Sequence, residues 1–165
     1  MKKLIGTSCT LLALLVPAFS HAAATEGQIQ AIAAAKVDYD VAQQAIKRED
    51  WTAAMDALKR AERNDPQSAD VQNMLGYTTR QKGDVEGALR YYERALQINP
   101  YHRGAHEYMG QAYLLKGMPE KAKEHLAKLE EICSGFDKCA ERESLKRAIA
   151  DWDPWKRGSR TTKSY

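Results

Sequence analysis

The sequence contains no Gly-rich phosphate loop, no serine nucleophile motif and no pair of carboxylates held at a recognisable spacing. The chain therefore reads as a non-enzyme with no cofactor. Acids and bases are scattered instead at helical spacings that suit solvated faces, as in Glu120-Lys121, Lys123-Glu124 and Glu141-Arg142-Glu143. Charge of one sign is also lacking. The 25 Lys and Arg nearly balance 22 Asp and Glu, which argues against nucleic acid as the main partner. Cysteine is scarce, and none of the three stands in a C-x-x-C pair, the spacing that lowers a thiol pKa at a helix start. Only one apolar run is long enough to notice.

That run, Leu11 to Val16, follows Lys2 and Lys3 and precedes the small residues Ala22, Ala23 and Ala24. Charge order and length give a secretory signal peptide over 1–24, with cleavage after Ala24 and Thr25 as the new terminus favoured over the alternative cleavage after Ala22. The run is too short for a permanent membrane span, so no stable membrane insertion is expected. Cys9 precedes the run, the wrong side for a lipid-attachment cysteine, and leaves with the signal. A bacterial periplasmic or secreted location follows. Cys133 and Cys139 then remain, an even number in an oxidising compartment, and a disulfide between them is the default expectation.

Residues 25–165 are enough for one compact domain, and they carry an internal period of 34. Gly76 and Gly110, Gly83 and Gly117, Ala88 and Ala122, and Pro66 and Pro100 are each 34 apart. An earlier copy keeps register through Ala54, Ala61 and Asn64-Asp65-Pro66. Three copies span about 35–68, 69–102 and 103–136. The middle one reads Met74-Leu75-Gly76, Gly83-Asp84, Ala88-Leu89, Tyr92, Ala95-Leu96, Asn99-Pro100. On these residues each copy resembles a tetratricopeptide repeat. Small residues (Ala42, Gly76, Gly110; Ala54, Ala88, Ala122) permit close helix approach, while Leu58, Tyr92 and Leu126 fill the space between hairpins. The departures are Asp38, Gln72 and His106 where the family often has Trp, and Ser134 for the closing proline of the third copy.

The resemblance implies an all-α, right-handed superhelical stack of three helix-turn-helix hairpins. Upstream, Thr25-Glu26-Gly27-Gln28 has capping-box spacing, so the first helix starts early. Downstream, Ala140, Leu145, Ala148 and Ile149 predict an amphipathic capping helix within 137–152 that covers the open end of the stack, completing a domain over 25–152. Asp153-Pro154 ends it. The basic tail 153–165, with Lys156, Arg157, Arg160 and Lys163, has little to bury and is expected to be disordered and solvated. The five residues between Cys133 and Cys139 let the chain turn back, so the pair reads as a staple for the cap. His102 and His106 have a four-residue spacing that metals can use, but His102 falls at the inter-repeat turn and His106 at a packing position, and no metal site is assigned.

In the resembled architecture the first helix of every hairpin lines a concave groove. By register that groove displays Lys36, Tyr39 and Gln43 from the first copy, Asp70, Asn73, Tyr77 and Arg80 from the second, and Glu107, Gln111 and Leu114 from the third. Asn73, Gln43 and Gln111 can bond a peptide backbone, the tyrosines offer apolar area, and Arg80 can hold a carboxylate. Tyr39 and Glu107 stand where a chaperone-tail clamp needs cations, so chaperone-tail binding is not expected. The function implied is a protein- or peptide-binding scaffold in the bacterial envelope. The alternatives are self-association, through an edge of the stack or the aromatics Trp152 and Trp155, and a redox or metal-binding role.

Overall fold

Five side chains start helices in the same way. Thr25, Asp50, Ser68, Asp84 and His102 each accept a hydrogen bond from the backbone N–H three residues on, satisfying a donor that the first turn leaves unpaired. At Thr25 the exchange is reciprocal: Gln28 N–H donates to Thr25 Oγ1 at 3.3 Å and Thr25 N–H to Gln28 Oε1 at 2.7 Å, the expected capping box. The sixth helix has no side-chain cap and opens on Pro119, whose missing N–H costs nothing in a first turn.

The computed structural model describes residues 25–135 and 138–152. The expected signal peptide, residues 136 and 137 of the cysteine loop, and the expected tail 153–165 lie outside the described residues. Within them the chain forms seven helices and no strand: α1 (Glu26–Lys47), α2 (Trp51–Asn64), α3 (Ala69–Gln81), α4 (Val85–Ile98), α5 (Arg103–Leu115), α6 (Pro119–Ile132) and α7 (Ala140–Ala150). Helices α1/α2, α3/α4 and α5/α6 pair as antiparallel hairpins. Each hairpin stacks on the next, and α7 lies on α5 and α6. This is the all-α stack with a terminal cap that the repeats imply.

The turns inside the hairpins need left-handed backbone. Gly83 and Gly117 supply it at φ 92° and 80°. The first hairpin has Glu49 at the same register, at φ 57°, a conformation that costs an L residue about 1–2 kcal/mol. Packing follows from the small residues. One core cluster joins Ala42, Ala57, Leu58 and Ala61 to Val71 and Leu75 of the next hairpin; a second joins Ala88, Leu89 and Tyr92 to Met109 and Ala112. Cys133 and Cys139 are both buried, with their sulfurs 2.04 Å apart, between α6 and α7. No described helix is long and apolar enough to cross a membrane.

Candidate functional site

Three aromatic side chains, one from each hairpin, form a row along the stack. Trp51 opens α2 and meets Tyr77 of α3 edge to face, with ring centroids 6.2 Å apart; Tyr77 in turn lies 5.1 Å from Tyr108 of α5. Behind them Tyr92 of α4 is fully buried, 6.2 Å from Tyr108. The Arg80 guanidinium spreads over this row, 5.5 Å from the Tyr77 ring and 5.8 Å from the Tyr108 ring, where ring quadrupoles favour a cation. Its Nε is buried without a hydrogen-bond partner, and among the described residues it makes no ion pair. Burial pushes the Tyr92 hydroxyl up to about 12, against the pull of Arg80 beside it.

Register placed Tyr77 and Arg80 on this surface. It missed Trp51, which sits on a second helix, and Tyr108, which neighbours Glu107 in sequence. Asn73 is a different case. It is 5 % exposed, and its Oδ1 has no partner, because Gly104 lets the start of α5 come close: a Cβ at Gly104 would lie 3.1 Å from Asn73 Nδ2. Asn73 therefore acts from beneath the surface rather than on it.

Both ends of the row carry carboxylates. At the N-terminal end, half-buried Tyr39 lines a depression of about 280 Å³ together with Ile32, Lys36, Asp40, Asp65 and Asp70. Burial and the Asp70 charge raise the Tyr39 hydroxyl above its ordinary value, while Gln43 lowers it. At the C-terminal end, Gln111 Nε2 donates to Glu107 Oε1 at 3.1 Å and approaches Ser144 Oγ of the cap at 3.5 Å. Burial raises the Glu107 carboxyl, Ser144 opposes that shift, the Glu141 charge adds to it, and the Arg80 charge and Gln111 lower it. Helix α7 thus borders the third hairpin's share of the surface. Leu114 is buried, and the Trp152 indole donates to its carbonyl at 3.1 Å, so that tryptophan is engaged with its own chain.

The two histidines with metal-like spacing diverge. His102 Nδ1 accepts the Ala105 N–H at 3.0 Å, which leaves Nε2–H to face Asp70 Oδ1 at 3.0 Å. Both nitrogens serve the joint between α3 and α5. His106 faces α6. Among the described residues no three His, Cys, Asp or Glu side chains cluster as a metal site.

Two family profiles, both described as tetratricopeptide repeat, match residues 39–103 and 80–132 and together span most of the three hairpins. The chain is a tetratricopeptide-repeat protein. The search of curated protein sequences found no match. Among solved structures, the tetratricopeptide chain resembles the TPR2B domain of yeast Sti1 in its pHsp70 complex, at TM-score 0.66 and 13% identity, covering 72% of this chain and 94% of that one. It also resembles the MamA protein, at TM-score 0.56 and 26% identity over 64% of this chain and 60% of that one. The type III secretion translocator chaperone SycD of Yersinia enterocolitica follows, at TM-score 0.61 and 16% identity over 70% and 85%.

Proposed function

We propose that this tetratricopeptide-repeat protein is a non-catalytic scaffold of the bacterial cell envelope that holds an extended segment of another protein across the Trp51–Tyr77–Tyr108 row. The observation that carries this reading is Arg80, a cation laid over two tyrosine rings with a buried, unpartnered Nε and, among the described residues, no carboxylate within ion-pair distance, although Glu107 feels its charge. An acidic group of the bound segment pairs with the half-buried Arg80 guanidinium from the open side, and the rings supply apolar area. Structural neighbours support binding of this kind: the TPR2B domain of yeast Sti1 forms a complex with pHsp70, and the first TPR domain of Spaghetti (RPAP3) is bound to the HSP90 peptide SRMEEVD. The signal-like N-terminus supports export, and the buried Cys133–Cys139 contact is consistent with an oxidising compartment.

A crosslinking pull-down from intact envelopes tests both site and location. A partner recovered with the wild type is expected to fall at least tenfold with Tyr77→Ala and with Arg80→Gln, as truncation of interface anchors commonly costs about 2 kcal/mol. Equal recovery by the wild type and both variants places binding elsewhere.

Self-association is the second reading, favoured by one specific observation. Ile29, Val37 and Val41 are exposed on one side of α1, at the end of the stack opposite the cap, and apolar side chains gathered there suit another apolar surface. If α1 joins copies, sedimentation velocity shows a mass that rises with concentration, and Val37→Glu abolishes the rise. A concentration-independent monomer removes this reading.

A further inference from the structure

In the third hairpin two imidazoles meet across the helix pair. His106 of α5 is buried, and its Nδ1 lies 3.0 Å from Nδ1 of His125 on α6. The opposite nitrogen, Nε2 of His106, is 3.0 Å from the Pro100 carbonyl oxygen. A carbonyl only accepts, so Nε2 of His106 bears hydrogen, and a neutral His106 presents Nδ1 as a lone pair. The bond between the rings then has one polarity: His125 Nδ1–H donates. The ring centroids are 5.3 Å apart, as expected for two rings aimed nitrogen at nitrogen.

Such a pair tolerates acid poorly. One added proton leaves a single N–H between the facing nitrogens, but it creates a charge in a poorly solvated place. A second sets two N–H groups against each other. We propose that His106 and His125 form a proton-binding joint of the third hairpin, whose protonation in weak acid weakens the hold of α5 on α6.

The surroundings offer little to stabilise that charge. From α5, the Tyr113 ring stacks on His125 at 5.6 Å and 20°, and His102 adds a second imidazole near His106. From α6 come Lys128, whose charge bears on His106, and Lys121, which lies 5.0 Å over the Tyr113 ring. Glu131 shares a depression of about 320 Å³ with His106, but Lys128 occupies it at 2.9 Å. Leu96 of α4, Pro100 and Tyr101 of the preceding turn, and Ile132 of α6 add no further carboxylate to that lining. Burial holds His106 below the ordinary imidazole range; the Pro100 carbonyl opposes that shift, and Lys128 and His102 add to it. Burial, then His106, bring His125 down to about 4.

The sign follows from proton linkage. An unfolded histidine takes up its proton near pH ~6.5, while the folded pair resists it until well below. Stability from the pair is therefore complete above about pH 7 and is lost as pH falls from ~6.5 toward the folded value of His125. Urea unfolding between pH 7.5 and 4.5, run on the wild type and on His106→Phe/His125→Leu, isolates this term from the titration of the carboxylates. The wild-type folding constant is expected to fall roughly 10- to 100-fold more than that of the variant over this range. Nitrogen-resolved NMR titration of the wild type supplies the second measurement and decides alone if the variant does not fold. Titration of both imidazoles well below the ordinary range upholds the joint. Parallel pH profiles for the two proteins, or both imidazoles titrating near ~6.5, overturns it.

Discussion

Gly76→Ala is expected to destabilise the stack by about 2–3 kcal/mol, although the same exchange in an exposed helix interior is stabilising by close to 1 kcal/mol. A Cβ at position 76 would press into Cε1 of Tyr92 and lie 2.6 Å from Cδ1. Tyr92 cannot swing aside, since it is fully buried and clustered with Ala88, Leu89, Met109 and Ala112. The first hairpin shows how the clash is avoided elsewhere: Ala42 stands at the register of Gly76 and Leu58 at that of Tyr92, both fully buried. Tyr92→Leu should therefore be less costly in a Gly76→Ala background than in the wild type. Urea unfolding of the four proteins in the cycle measures the coupling, expected to exceed about 1 kcal/mol. Wild-type stability for Gly76→Ala alone would mean that Tyr92 is free to move, and the close-packing account of the central hairpin would be wrong.

The fold was legible because a fixed period forces the same neighbours on the same position. Gly76 and Gly110 recur 34 residues apart, and each admits a large side chain from a facing helix: Tyr92 of its own hairpin in one case and Leu145 of the cap α7 in the other. The capping box at Thr25 likewise announced an early start to α1, which runs 22 residues against 14 for α2. What the period could not convey is where the copies differ. Glu49 occupies a glycine's backbone conformation in the first turn, and nothing in its side chain marks it. Trp152 resembled a free aromatic near a tail, whereas its indole is bonded to the Leu114 carbonyl.

Register is a statement about faces, and the site needs more than faces. It brought Tyr77 and Arg80 to one surface but gave no lateral distances, so the neighbours that complete the row, Trp51 and Tyr108, went unseen. It assigned Asn73 to the open groove, while the absence of a side chain at Gly104, 31 positions further on, lets α5 cover it. The meeting of His106 with His125 depends in the same way on how α5 and α6 cross. Spacing within one helix had pointed to His102 and His106 instead, which turn to opposite partners.

Leu145→Ala is expected to be the costliest truncation outside the central hairpin, at about 3 kcal/mol. Leu145 is fully buried, and its methyls fill the space left by Gly110, where a Cβ would lie 2.6 and 2.7 Å from them. It is also the only buried residue of α7, so no second apolar contact of similar depth holds the helix. At 11 residues, α7 is too short to persist in isolation. Losing its seat should uncover Gly110 and break the Trp152–Leu114 bond, seen as lost amide protection across α7 together with a shift in tryptophan emission. Reduction of the Cys133–Cys139 pair provides the contrast. A count of free thiols before reduction establishes whether the pair is oxidised. Opening so short a loop should cost at most about 2 kcal/mol, with Leu145 still seated and α7 still protected. If reduction strips protection from α7 while Leu145→Ala leaves it intact, the covalent tie holds the cap and the apolar seat is incidental; the buried contact with Gly110 makes the reverse the expected result.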